Sequence, residues 1–341
     1  MSLDFTSRDL VAALKAAAEP TRLRVLRLLA GGELNVKDLT EVLGQSQPRL
    51  SRHLKLLAEA GLVERVREGS WVYFHVPESS RGGRLARLIL DGLDAGDSVV
   101  SRDLERAAVL KQKREAAAQD YFKRHAADWD RIRALHVPEA AVEAAMRDMA
   151  GEGPFRQLVD LGTGTGRILE LFADRYEQAI GFDMSHAMLS YARSNLSRAG
   201  LDRAQVRHGD LYNLTLSGGS ADAVIMHQVL HYLSDPPRAI AEAARVLAPG
   251  GKLLIVDFAP HEHEFLREAH AHERLGFAVN QVEEWMRAAG LEPAGVRTLA
   301  PDIAPAREGA LTVTLWLAAR PGARTPTPNR TSSKRKLEEA R

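Results

Sequence analysis

Two groups of residues in this 341-residue chain have types and spacing that could do chemistry. The first is Gly162, Gly164 and Gly166, set at alternate positions directly after Val159-Asp160-Leu161. Glycines let a loop bend tightly and let backbone approach a ligand closely. Such a loop alone also suits nicotinamide or flavin cofactors. Further on, Asp183 ends the apolar run Ala179-Ile180-Gly181-Phe182, and Asp210-Leu211 follows His208-Gly209. An acid at each strand tip suits a pair of ribose hydroxyls and an exocyclic adenine amine, so the ordered set predicts a nucleoside-cofactor site. The second group is Gln45 to Lys55, which holds Arg49, Arg52 and Lys55, one histidine and no carboxylate. Ser46, Gln47, Arg49, Ser51, Arg52, His53 and Lys55 are the polar positions there. Gln, Ser and Arg at a helix start can reach base edges, and Arg pairs with guanine through two hydrogen bonds.

The elements around each group agree with that chemistry. A short helix over 35–43, closed by Gly44, leads into a second over 47–60 whose Leu50, Leu54 and Leu57 keep one face apolar. Short helix, glycine turn and second helix form the helix-turn-helix pattern. Upstream, Leu10, Leu14, Ala17 and Ala18 share one helical face, and Pro20 starts another helix with Leu23, Leu26 and Leu29. Downstream, 62–67 and 70–76 alternate as two strands turning at Glu68-Gly69. That hairpin presents Arg65 and Arg67 to phosphates.

The segment from about 8 to 77 resembles the arsenic-repressor (ArsR) family of winged-helix regulators. The matching stretches are Pro20-Thr21-Arg22-Leu23-Arg24-Val25-Leu26, Ser51-Arg52-His53-Leu54-Lys55 and Ala60-Gly61-Leu62-Val63. The resemblance implies a homodimer on double-stranded operator DNA. Metal-sensing members commonly carry two cysteines in the third helix, where Asn35 and Lys37 stand here, and the chain has no cysteine at all. Thiolate sensing at that site, disulfides and cysteine nucleophiles are therefore excluded.

Residues about 118 to 320 resemble the class I S-adenosylmethionine (SAM)-dependent methyltransferases, on Asp160-Leu161-Gly162-Thr163-Gly164-Thr165-Gly166, Phe182-Asp183-Met184-Ser185, Gly209-Asp210, Val229-Leu230-His231-Tyr232-Leu233 and Leu247-Ala248-Pro249-Gly250-Gly251-Lys252. The late strands 295–297 and 311–317 fit that family's closing antiparallel hairpin. The resemblance implies that Gly162, Gly164 and Gly166 wrap the cofactor. Asp160 then orients the loop or binds the amino group, Asp183 takes the ribose, and Met184 flanks the adenine. Asp210 and Leu211 hold the adenine edge, and His227 and Gln228 face cofactor or substrate. Tyr121-Phe122 and Trp129 resemble that family's lid segment, in which an aromatic covers the cofactor; Tyr121 is the expected cover and Trp129 is expected in the core. Methyl transfer needs chiefly in-line positioning, so a general base is optional; His227 and His231 are the catalytic candidates, each with packing as the alternative. No Asn-Pro-Pro-Tyr sequence is present, which speaks against methylation of base or glutamine amino groups.

Between the modules, Leu85, Leu88 and Leu93 suggest a short helix and 103–123 one long helix, either a solvated face or a joining and dimerising element. His261, His263, His270 and His272 with nearby acids could ligate a metal or simply form a polar segment over the substrate mouth; no metal is assigned. The expected architecture is α/β: a winged helix-turn-helix over 1–80, a linker and connecting helix over 81–117, a Rossmann-like methyltransferase domain with a mostly parallel seven-stranded sheet over 118–320, and a disordered tail over 321–341. A net charge of +1 leaves nucleic-acid affinity to local patches. No apolar run nears the roughly 18 residues of a membrane span, and Met1 to Phe5 lacks a signal-peptide pattern, so a cytoplasmic location is expected. The expected role is a regulator sensing SAM or S-adenosylhomocysteine (SAH), with an active small-molecule methyltransferase regulating its own operon as the alternative.

Overall fold

The computed structural model describes residues 4–68, 71–77, 80–94, 96–129, 139–301 and 311–322. Gly69 of the expected wing turn and all but the first two residues of the expected tail lie outside them.

Helices α1 (Ser7–Ala17), α2 (Pro20–Leu29), α3 (Val36–Leu43) and α4 (Gln47–Glu59) precede a hairpin of β2 (Glu64–Glu68) and β3 (Trp71–His75). Strand β1 (Leu34–Asn35), too short to leave a sequence signal, pairs antiparallel with β3 on the side away from β2. Leu26, Leu39, Leu50, Leu54 and Leu57 are almost wholly excluded from water and hold the helices together. Helix α1 is rotated from the expected face: Ala13 and Ala17 point inward, while Val11 and Leu14 remain 49% and 45% exposed.

Helix α5 (Arg81–Asp91) belongs to this same core, since Leu85, Ala86 and Leu90 are buried in it. Its Gly82-Gly83 is a packing requirement rather than linker composition. A Cβ at Gly82 would strike the carbonyl of Gly61, and one at Gly83 would strike that of Pro77. Helix α6 (Ser98–His125) is a single 28-residue element capped by Asp97, longer than the expected 103–123. Leu104, Ala107 and Leu110 pack on the first core, and Arg24 forms a two-pronged ion pair with Asp103 at 2.6 and 2.8 Å.

The second domain runs α7 (Glu139–Ala150), β4 (Phe155–Leu161), α8 (Arg167–Leu171), β5 (Tyr176–Asp183), α9 (His186–Arg198), β6 (Ala204–His208), β7 (Ala221–His227), α10 (Pro236–Val246), β8 (Leu247–Phe258), α11 (Phe265–His270), α12 (Val279–Ala288), β9 (Glu292–Leu299) and β10 (Val313–Ala319). Its seven strands lie in the order β6-β5-β4-β7-β8-β10-β9, with β10 antiparallel to both neighbours. Both faces of this sheet are buried, which explains the near-continuous apolar strands. The chain winds outward from β4 to β6 and then returns to β7 beside β4. That reversal opens a crevice at the carboxyl ends of β4 and β7, where open α/β sheets bind ligands. The Ala248-Pro249-Gly250-Gly251 stretch is in the first part of β8, and an irregularity in its pairing with β7 falls there.

The two domains meet through buried charge. Arg274, 1% exposed, places its guanidinium on Glu68 at the end of the wing strand β2 (2.5 and 2.8 Å) and on Glu33 (2.5 Å). Burial works against that charge, but Glu33 and Glu68 outweigh it and hold the guanidinium pKa well above its ordinary value. The same guanidinium lies over the Tyr73 ring at 4.4 Å, and the Tyr73 hydroxyl donates to the Glu273 carbonyl (3.2 Å). Arg267 covers Trp71 at 4.4 Å. From α6, Arg114 bridges Asp38 of α3 and Glu273, and Lys111 lies 3.8 Å from Asp235.

Removing one partner of a buried ion pair leaves the other uncompensated, at about 3–5 kcal/mol. Arg274→Met is therefore expected to lower stability by roughly that amount and to split a joint calorimetric transition into separate unfolding of the two domains. A wild-type thermogram for this variant would mean that the buried pair does not hold the domains together.

Candidate functional site

Helix α4 stands on Leu50, Leu54 and Leu57 and turns the opposite face to solvent. Ser46, Gln47, Arg49, Ser51, Arg52 and Lys55 are all exposed along it, as are Arg65 and Arg67 on the wing. His53 departs from that set: it is half-buried, with Nδ1 at 3.8 Å from Glu19 Oε2, so it packs against the start of α2 rather than joining the outer face. Burial lowers its pKa, only partly offset by Glu19. Asn35 caps α3, accepting the Asp38 N–H at 3.0 Å while Asp38 accepts the Asn35 N–H at 3.1 Å. The position that carries cysteine in metal-sensing relatives thus does a capping job here.

The crevice at the switch point is an open cleft among the described residues. Gly162, Gly164, Asp183, Met184, Asp210, Leu211, His227 and Gln228 all line it, as the sequence anticipated. The loop after β4 turns at Gly162 with φ +76°, and a Cβ there would run into Val229. Asp183 ends β5 and fixes that loop: Oδ2 accepts the Gly164 N–H (2.9 Å) and Oδ1 the Ser185 N–H (2.7 Å). Burial pushes its carboxyl above the usual range, against the pull of those two amides. Gln228 sits at φ +50°, a left-handed conformation unusual for a residue with a side chain, with its N–H on the Val256 carbonyl at 2.7 Å.

Four expected residues lie elsewhere. Tyr121 is buried with its hydroxyl 2.8 Å from His270 Nδ1, so helical phase sends Phe122, one step on, to the cleft instead. Trp129, expected in the core, also lines the cleft. Asp160 is 1% exposed beneath the loop, and Gly166 starts α8 behind it. His231 is 1% exposed, with Nδ1 2.8 Å from Asp257 Oδ1, and so is withdrawn from the catalytic place expected for it. The residues the sequence reading did not anticipate include Ala118, Gln119, Tyr212, Tyr232 and Leu233. Part of their signal was available: Lys111, Arg114, Ala118 and Phe122 follow i, i+3, i+7, i+11 spacing and share one side of α6.

The histidine-rich segment forms a packed aromatic cluster. His272 stacks on Phe258 with ring planes 8° apart and lies 4.2 Å from the His231 ring. Among the described residues no group of three or more His, Asp or Glu converges to hold a metal ion. His261 Nδ1 accepts the His263 N–H at 3.3 Å, a bond that only the neutral ring can accept. Burial, with His263 and His231 nearby, lowers its pKa from 6.5 to about 4. Between those values the unfolded chain binds the proton and the folded one does not, so stability falls as pH drops from 6.5 towards about 4. Denaturation at stepped pH is expected to give a shallower acid slope for His261→Asn; an unchanged slope would assign the acid loss to other groups.

Comparison with known proteins fits this geometry. Residues 19–65 match the model for bacterial regulatory protein, arsR family, and residues 159–255 match the model for a methyltransferase domain. The chain is 35% identical over 116 residues to a 37.1 kDa protein in transposon TN4556 of Streptomyces fradiae, covering 33% of each. It is 33% identical over 153 residues to trans-aconitate 2-methyltransferase of Deinococcus radiodurans, covering 43% of this chain and 54% of that one. The chain thus spans from a third to about half the length of these curated relatives. A solved chain from the complex of the Haloferax volcanii Trm112 methyltransferase activator with a methyltransferase shares the fold, at TM-score 0.50 and 24% identity, covering 59% of this chain and 97% of that one. No helix among the described residues is long and apolar enough to cross a membrane. The chain carries an arsR-family regulatory domain and a methyltransferase domain in one polypeptide.

Proposed function

We propose that this protein is a bacterial transcriptional regulator that binds operator DNA through α4 and the wing, and whose methyltransferase domain senses SAM or SAH. The observation that carries the proposal is the double membership of α6. Its first half is packed into the DNA-binding core through Leu104, Ala107, Leu110 and the Arg24–Asp103 pair, while Ala118, Gln119 and Phe122 in its second half line the cleft. An occupant of the cleft touches the same rigid element that supports the DNA-binding helices. SAM suits the residues present: the Asp183 oxygens for the ribose, Met184 and Leu211 for the adenine faces, and Asp210 for its amine. When bound, it supplies an electrophilic methyl on a sulfonium.

Operator binding as a homodimer is supported by apolar side chains left on the first domain's surface. Leu88 of α5 is 59% exposed, alongside Val11 and Leu14 of α1, and Arg81 at the start of α5 lies 4.0 Å from Asp9 of α1. A second reading, an active small-molecule methyltransferase that regulates its own operon, is favoured by His227. His227 ends β7 and lines the cleft, beside an acceptor bound there.

Arg49→Ala and Arg52→Ala are each expected to weaken operator binding, by about 1–3 kcal/mol where the side chain makes a paired base contact. Fluorescence anisotropy with unchanged affinity in both variants would remove α4 from the interface. The sensing proposal is tested by operator titration with saturating SAM, with SAH and with neither. Affinities are expected to differ by about 5- to 150-fold, and operator DNA must shift cofactor affinity by the same factor. Equal operator affinity in all three states would sink the sensor and leave the methyltransferase reading.

A further inference from the structure

We propose that Phe122, Trp129 and Tyr232 form an aromatic cage that reads the positive charge on the cofactor's sulfur, so that the cleft holds SAM more tightly than SAH. This rests on the cofactor reading above and deepens it.

The three rings come from separate parts of the chain: α6, the residue just beyond its 3-10 extension, and the turn after β7. Their centroids lie 5.3 Å (Phe122 to Trp129), 4.7 Å (Phe122 to Tyr232) and 6.3 Å (Trp129 to Tyr232) apart, at interplanar angles of 79°, 74° and 52°. The pairs meet edge to face or tilted rather than stacked, so in each contact one ring turns its edge to the other, and all three line the cleft. The loop relates Trp129 to the Asp183 carboxylate proposed to hold the ribose. Trp129 Nε1 would lie 3.4 Å from a Cβ at Gly164, and the Gly164 N–H is the one held by Asp183. The cofactor's sulfur is bonded to the 5′ carbon of its ribose, so a ribose anchored on Asp183 carries the sulfur within one sugar's length of the cage.

SAM and SAH offer the same ribose hydroxyls, adenine and amino acid; they differ by one methyl and one charge at sulfur. Hydrogen bonds to the shared parts cannot tell them apart. Aromatic faces can, because their negative quadrupole attracts an onium centre more strongly than it attracts a neutral thioether. The charged side chains among the described lining residues are Asp183 and Asp210, both of the sign that favours a cation.

The test is calorimetric titration of the full-length wild type, Trp129→Leu, Phe122→Leu and Trp129→Phe with SAM and with SAH. Wild type is expected to prefer SAM. Each leucine variant is expected to lose about 2- to 30-fold in SAM affinity, the range of a cation–π contact, with a smaller loss for SAH, and Trp129→Phe is expected to keep most of the preference. Equal loss for both ligands would reduce the rings to packing and overturn the cage, as would an unchanged preference in both leucine variants. Failure of wild type to bind either ligand would overturn the cofactor reading itself.

Discussion

The arrangement of the two domains depends on a charge removed from water. Arg274 leaves the segment after α11 and packs on the wing at the end of β2, where Glu68 and Glu33 neutralise it and Tyr73 covers it. A buried guanidinium is tolerated only with its partners in register, so the wing cannot slide against the second domain by even a side chain's width without stranding it. The backbone that carries Arg274 is in turn held by the His231 carbonyl, which accepts the Glu273 and Arg274 N–H groups at 2.9 and 3.0 Å. His231 lies within the turn that brings Val229 and Tyr232 to the cleft. The cleft wall and the wing are therefore a few covalent and hydrogen-bonded steps apart.

Helix α6 supplies a second link of a different kind. Its contacts alternate with helical phase: Asp103 and Arg106 face the first domain, and Lys111 reaches Asp235 and the Tyr212 ring of the second. Arg114 faces both at once through Asp38 and Glu273. Histidine, which the sequence made prominent, has a mostly architectural part. His231, His270 and His272 tie α6, β8 and the segment around α11 into one aromatic mass, and His227 alone of the two catalytic candidates reaches the cleft.

Local chemistry was legible where a residue's role follows from its own backbone. Gly162 and Gly164 at positive φ, Asp183 at the end of β5, Asp210 beyond β6 and the exposed acid-free face of α4 stand where their types predicted, whereas Gly166, Asp160 and His53 do not. What could not be read were choices made by tertiary contact. Tyr121 and Phe122 are adjacent aromatics with equal claim on the cleft, and only the position of His270 decides between them. His231 reads as a reactive histidine until Asp257, far along the chain, is seen to hold it. The stretch 81–117 has the composition of a connector, yet its apolar residues complete the first core, because the glycine pair lets α5 approach the backbone of its neighbours.

The length of α6 fixes an orientation as well as a distance. With about 100° of rotation and 1.5 Å of rise per residue, the face that meets the winged helix and the face that meets the cleft are set by the count of residues between Asp103 and Phe122. The boundary between the two functions runs through the middle of a helix. Neither half can be exchanged for a homologous part by recombination at a loop, because no loop divides them. A winged helix inherited without α6 would leave Arg24 without Asp103, and a methyltransferase domain without it would lose a wall of its cleft.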